Sequence, residues 1–192
     1  MNENHLVKIL RSNHSVFTFK DVTLLWGETD PRQAKKRIYR YVKAGKLYSI
    51  RRGIYAKDKN YDRLELANKI FSPSYISFET VLAKEGVIFQ HYDQIFAASY
   101  LTREITCDGG FYSFRRLKST VLVNTLGIEI KLNYSIASTE RAFLDTLYLN
   151  PKYHFDNLSP MDWDKCRKIL PIYGNKALVK RFESSVKLSQ NA

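Results

Sequence analysis

Eight residues within one short stretch have the chemistry to hold a nucleic acid: Arg32, Gln33, Lys36, Arg37, Arg40 and Lys43, then Arg51 and Arg52. Ammonium and guanidinium groups neutralise phosphates, a guanidinium pairs bidentately with a guanine edge, and a glutamine amide matches adenine. The spacing predicts that the first six ride on a helix. Ala34, Ile38 and Tyr41 recur as an apolar stripe, Asp30 is a ready N-cap, Pro31 suits the first helical position, and Gly45 closes the helix. Gln33 and Arg37 share one face, and Arg32, Lys36 and Lys43 another; periodicity leaves open which of them meets bases. We read Gln33 against an adenine and Arg37 against a guanine, with Lys36, Lys43 and the two later arginines on phosphates. Leu47–Arg51 and Ile54–Ala56 read as two short strands with Arg52-Gly53 as the turn between them. A basic helix followed at once by a basic-tipped hairpin is the order of a recognition helix and its wing. A merely solvated amphipathic helix would show the same charged face, but it would not explain the arginines on the hairpin.

A second constellation has the spacing of a metal-dependent nuclease. Asp108 in a turn and Glu129-Ile130-Lys131 on a strand could supply two carboxylates for Mg²⁺ and a lysine to activate water. Alternation on an ordinary half-buried strand gives the same pattern, with Ile128, Ile130 and Leu132 inward, and we prefer that reading. The four histidines, His5, His14, His91 and His154, have no metal-ligand spacing. Cys107 and Cys166 are too few for a disulfide framework or a zinc site and read as small buried side chains. There is no phosphate-cradling glycine loop and no nucleophile elbow. The chain is therefore read as a non-enzyme that needs no metal or cofactor.

Charge is distributed in a way that agrees with the first constellation. The 192 residues carry 31 Lys+Arg against 19 Asp+Glu, a net +12, and 44% are hydrophobic, enough for a substantial core. Up to Lys57 there are 13 basic and 4 acidic residues, net +9; from Asp58 onward there are 18 and 15, net +3. A basic front third joined to a nearly neutral remainder suggests a polyanion reader attached to a module with another task. No stretch resembles a signal peptide or a membrane span, so no membrane partner and a cytoplasmic location are expected.

These residues must be positioned by an α+β chain. Residues 1–57 predict a winged helix-turn-helix: a helix from Asn2 or Asn4 to about Ser12, an extended Val16–Phe19, a helix over Lys20–Trp26, the basic helix, and the hairpin. Residues 58–72 predict a polar seam and a helical connector ended by Ser72-Pro73. Residues 73–192 predict a mixed α/β domain with a small, mainly antiparallel sheet and C-terminal helices. Within it, Ser77 is expected to cap a helix over Phe78–Glu85. Val87–Phe89, Ile95–Tyr100, Phe111–Leu117, Thr120–Asn124 and Ile128–Tyr134 are expected strands. Ser138 should start a helix over Thr139–Tyr148, Ser159 one to about Leu170, and Gly174-Asn175 a last one to Lys187, with the tail fraying from Ser189.

Three segments of this second part, Ser74–Ala83, Gly86–Ile88 and Ile136–Asp145, resemble the AbiE-type antitoxins, the regulator half of bacterial abortive-infection toxin–antitoxin pairs. Leu47–Ala56 is similar to the segment that ends that family's winged helix. The resemblance covers roughly residues 2–150. It implies a winged-helix domain that represses its own operon; because winged-helix repressors usually bind an inverted repeat as two copies, inverted repeats in the promoter and a homodimer or paired monomers are expected. It also implies a C-terminal domain that counteracts a nucleotidyltransferase-like toxin encoded by the next gene. It carries over no catalytic residue, and its DNA contacts map only onto the basic helix and hairpin. From the residues alone, the alternative is a stand-alone winged-helix regulator whose second domain senses a ligand or dimerises. Read without the family, Arg141 and Asp145 are a helical i, i+4 pair that contributes little if exposed.

Overall fold

The computed structural model describes residues 5–190, and these form an α+β structure with two sheets. The front part follows the expected order: α1 (His5–Arg11), β1 (Val16–Thr18), α2 (Phe19–Trp26), α3 (Pro31–Lys43), β2 (Tyr48–Arg51) and β3 (Ile54–Ala56). The expected start of α1 at Asn2 or Asn4 lies outside the described residues. Helix α2 is fixed by a capping box, Thr18 and Asp21 each holding the other's backbone N–H, and Gly27 closes it in the left-handed region at φ 66°. Ile9, Phe17, Val22, Trp26, Ile38 and Leu47 make a small core from α1, β1, α2, α3 and the approach to β2. Strand β3 lies between β1 and β2, antiparallel to both, in a three-stranded sheet.

The remainder is built on a six-stranded sheet in the order β6-β7-β5-β4-β9-β8. Its strands are β4 (Ser74–Ile76), β5 (Gln94–Ser99), β6 (Arg103–Cys107), β7 (Gly110–Arg116), β8 (Ile128–Ile130) and β9 (Ser135–Ala137). The sheet is larger and more mixed than predicted, with β5–β7 and β4–β9 parallel and the other neighbours antiparallel. Parallel pairs join strands distant in sequence, which local patterns do not reveal. Helix α4 (Arg63–Ile70) packs on β4 and β5, and α5 (Glu79–Lys84) packs on β5. Helix α7 (Thr139–Leu149) packs against α5, α8 (Trp163–Ile169) and α9 (Lys176–Gln190).

Several local expectations give way here. Thr120–Asn124, β-branched enough to suggest a strand, lies in and just beyond a one-turn helix, α6 (Ser119–Leu122), that buries Val121 and Leu122. Tertiary burial overrides strand propensity there. Val87–Phe89 forms no strand; Val87 and Ile88 are buried in a loop whose Val87 carbonyl accepts from the Asp156 and Asn157 N–H groups. Strands β6 and β9 have no counterpart among the expected elements. Asp162, not Ser159, caps α8. Helix α9 continues through Ser189, whose hydroxyl donates to the Val186 carbonyl, instead of fraying there. Of its expected apolar face, Leu178, Phe182 and Val186 are buried, whereas Ala177 is exposed.

The Ser77 hydroxyl does not cap α5. It donates to Asp145 at 2.9 Å, and Phe78 takes the cap position at φ 57° with its ring fully buried. A non-glycine residue in that region is strained and persists only where its surroundings hold it. Here they do: the Arg115 guanidinium lies over the Phe78 ring at 5.0 Å, tied in turn to Glu79.

The polar seam at 58–62 does not separate two independent bodies. Val16 and Ile54 of the first sheet belong to the large core of the second part. The Glu65 carboxylate on α4, fully buried, accepts from the Ser15 and Val16 backbone N–H groups, the Ser15 hydroxyl and the His14 ring. Lys69 pairs with Asp21 at 2.8 Å. The connector is thus part of the front unit's foundation.

Candidate nucleic-acid interface

Helix α3 starts where the sequence implies. The Asp30 carboxylate accepts from the Arg32 N–H at 2.8 Å, and Pro31 occupies the first turn. Its end is a Schellman arrangement: Gly45, at φ 66°, donates to Val42 and Lys46 donates to Tyr41. Thirteen residues give a rod about 20 Å long. Ala34 and Ile38 are buried on its inner side. At 100° per residue, Arg32, Gln33, Lys36, Arg40 and Lys43 fall on one outward face centred on Lys36. All five are exposed or half-exposed, and no ion pair holds the four cations among the described residues. The two faces left open by periodicity therefore merge into one, with Gln33 at its margin.

Arg37 departs from the expected role. It is only half-exposed, donates to Glu28 at 2.9 Å, approaches the His5 ring nitrogen at 3.1 Å, and lies over Trp26 at 5.7 Å. Burial and the adjacent guanidinium push the His5 imidazole below its ordinary value. Arg37 thus braces α3 against α1 and α2. Tyr39 is 66% exposed, beside Lys36 and Lys43 at helical spacing, and adds an aromatic ring with a phenol donor to the face. Its signal in the sequence was available: it sits off the apolar stripe, where a tyrosine has no core to join.

The hairpin places Arg51 and Arg52 in solvent at its tip, next to Gly53 at φ 82°. The Gly53 carbonyl accepts from the Phe19 N–H at 2.8 Å, anchoring the tip to the start of α2. The register shift between Ser49 and Arg51 marks a bulge, which sharpens the twist just before the turn. At the other end of the hairpin, Asp108 clamps it to the second sheet. Its two oxygens accept from the Tyr48 and Tyr61 hydroxyls, each at 2.7 Å, and the tyrosine rings stack. Lys59 lies over the Tyr48 ring at 5.7 Å. The hydroxyl bonds from Tyr61 and then Tyr48 hold the Asp108 carboxyl below the usual range.

The same clamp disperses the nuclease constellation. Asp108 lies at the β6–β7 turn and Glu129 on β8, the two opposite edges of the sheet. Five strand spacings of about 4.8 Å separate those edges by about 24 Å. Glu129 instead pairs with Lys131 at 2.7 Å, both half-exposed. The expected inward face is also wrong: Ile130 and Leu132 are 86% and 89% exposed. His91 and His154 lie at the surface, near Asp93 and Asp156. Cys107 and Cys166 are buried free thiols, and burial pushes both up.

What the arrangement can do is hold a polyanion: an exposed cationic helix and a cationic loop tip projecting from one braced unit. None of its described helices is long and apolar enough to cross a membrane. No family model matches the chain, and comparison with curated proteins returns no significant match.

Proposed function

We propose that the chain is a DNA-binding antitoxin of the abortive-infection type, in which the front unit is a winged helix that represses the protein's own operon. The second part would counteract a nucleotidyltransferase-like toxin. The observation that carries the DNA reading is the shared solvent access of Arg32, Lys36, Arg40 and Lys43 on α3 and of Arg51 and Arg52 at the hairpin tip. Six cations kept in water without ion-pair partners among the described residues favour an external anion over an internal role. Lys36 and Arg40 lie centrally and would face the groove, with Gln33 and Tyr39 beside them as donors to base edges or backbone. Lys43, Arg51 and Arg52 would hold phosphates.

The antitoxin half rests on the resemblance of the second part. Two of the resembling segments meet in one buried network, Tyr75 and Ser77 with Arg141 and Asp145. Their shared residues therefore support a shared framework, and the toxin-facing surface is to be sought elsewhere. In a gel shift with the DNA upstream of its gene, the chain should bind. The Lys36→Ala/Arg40→Ala double variant should lose that shift while keeping its thermal unfolding temperature; undiminished binding would reject the assignment. Co-expression with the product of the downstream gene tests the antitoxin role. Rescue from a toxic neighbour is expected, and a harmless neighbour would leave the stand-alone regulator.

A further inference from the structure

The two edges of the six-stranded sheet differ. On β6 the exposed positions are polar or charged: Arg103, Glu104 and Thr106. On β8 they include an apolar side chain, Ile130, with Leu132 exposed two residues on in the turn after the strand and Leu126 half-exposed just before it. A bare edge strand is a template for another strand, and charged residues normally blunt it. Here Glu129 and Lys131 flank Ile130.

The backbone of this edge has a defined polarity. The Gly127 carbonyl accepts from the Ser138 N–H at 2.7 Å, and the Lys131 N–H donates to the Tyr134 carbonyl at 2.9 Å. Residues 127, 129 and 131 therefore direct their backbone groups at β9, and by antiparallel alternation residues 128 and 130 direct theirs outward. The Ile128 N–H is already taken by the Thr125 carbonyl at 2.9 Å. The Ile128 carbonyl and both groups of Ile130 are the ones aimed away from the sheet.

We propose that β8 is the contact through which two copies of this chain pair, antiparallel, about a two-fold axis at Ile130. In that register each Ile130 N–H donates to the other copy's Ile130 carbonyl. Glu129 stands opposite Lys131 of the second copy, and Lys131 opposite its Glu129. The exposed Ile130 side chains of the two copies cover one another, while Ile128 stays packed on its own core and Leu132 lies in the turn that follows the strand. Charge selects this axis over its neighbours. A two-fold at residue 129 sets Glu129 against its own copy, and one at residue 131 does the same with Lys131. Only the axis at Ile130 makes both charge pairs complementary, because Ile-Glu-Ile-Lys-Leu reads as apolar, acid, apolar, base, apolar from one end and apolar, base, apolar, acid, apolar from the other. An isologous contact requires that self-complementarity. The pairing extends the sheet to twelve strands, uses no part of α3 or the hairpin, and is independent of DNA binding.

Sedimentation velocity of the full chain over a range of concentrations tests it. The wild type should pass from monomer to dimer. Glu129→Lys alone and Lys131→Glu alone each replace both opposite-charge pairs by like-charge pairs and should weaken dimerisation about tenfold or more. Mixing those two variants should restore it, since both lysines of the first variant then face the two glutamates of the second across the axis. The double variant Glu129→Lys/Lys131→Glu should dimerise like the wild type, which separates a lost contact from a damaged fold. A wild type that stays monomeric throughout, leaving the edge for a different protein, overturns the proposal. So does a dimer that either single variant leaves intact, or a mixture that stays monomeric.

Discussion

Arg141 Nε lies 3.2 Å from Asp145 Oδ1 with neither side chain exposed to solvent. A pair that would be minor on a helix surface is instead the polar centre of the larger core. The Asp145 carboxylate also accepts from Tyr173, Tyr75 and Ser77 at 2.6, 2.9 and 2.9 Å. The guanidinium donates to Tyr75 and to the Val121 and Leu126 carbonyls, each at 2.8 Å. Burial pushes the Asp145 carboxyl up, while the guanidinium and the three hydroxyls pull it back. With donors on both oxygens, the carboxylate is the form this network fits. The network holds together α7, β4, the turn after α6 and the 3-10 turn Leu170–Tyr173.

Breaking that pair from one side leaves a buried charge without its partner. Arg141→Ala or Asp145→Ala should lower the free energy of unfolding by about 3–5 kcal/mol. Tyr173→Phe, which removes one hydroxyl from an otherwise complete set, should cost about 1–2 kcal/mol. Urea titration followed by circular dichroism reads all three, and equal losses would show that the pair is not the centre of the network.

Glu65 predicts how the front unit is coupled to the rest. Its carboxylate is the acceptor for the buried Val16 N–H and for the Ser15 N–H. Glu65→Ala should cost about 3 kcal/mol, since it leaves a buried donor unpaired. Amide exchange should rise first in β1. Glu65→Gln, which keeps one acceptor oxygen, should cost less than Glu65→Ala.

Acid should release the hairpin from the second sheet. A carboxyl held low in the folded state contributes stability above its unfolded pKa, and that contribution is lost as pH falls through the folded value. Asp108 is such a group, so the clamp on Tyr48 and Tyr61 is intact at neutral pH and opens below the ordinary carboxylate range. Partial burial pushes Asp21 up, but Lys69 and Thr18 outweigh it and leave it low, so its tie to α4 goes in the same direction. Exchange rates of amides in Tyr48–Ala56 should rise on acidification in the wild type. In Asp108→Asn they should change much less over the same range.

Salt dependence of DNA binding separates cations that meet phosphate from the one that braces the fold. Arg52→Ala and Lys43→Ala should each reduce the slope of log affinity against log salt by about 1. Arg37→Ala should leave the slope unchanged and lower the unfolding temperature, because its guanidinium is held by Glu28 over Trp26. A slope reduced by Arg37→Ala would place that residue on the DNA side after all.

Nearest-neighbour chemistry made the front of the chain readable. Asp30, Pro31, the Ala34/Ile38 stripe and Gly45 define α3 through contacts within a few residues of one another. The hairpin is as local. The excess of positive charge before Asp58 is a property of composition that no folding could alter. Burial was not readable in the same way, because it depends on which distant segment arrives beside a residue. Ile130 belongs to a flawless alternation and ends in solvent, since nothing among the described residues covers its end of β8. Arg141 and Asp145, a surface-type pair by their types, end in the core because β4 and the 3-10 turn bring three hydroxyls to them. Arg37 sits one residue from Lys36 and faces Glu28 instead of solvent. Sequence by itself determined which elements form at the front and what charge they carry. Tertiary structure decided which side chains are left in water, because solvent exposure is settled by long-range packing and not by the spacing of residues along one element.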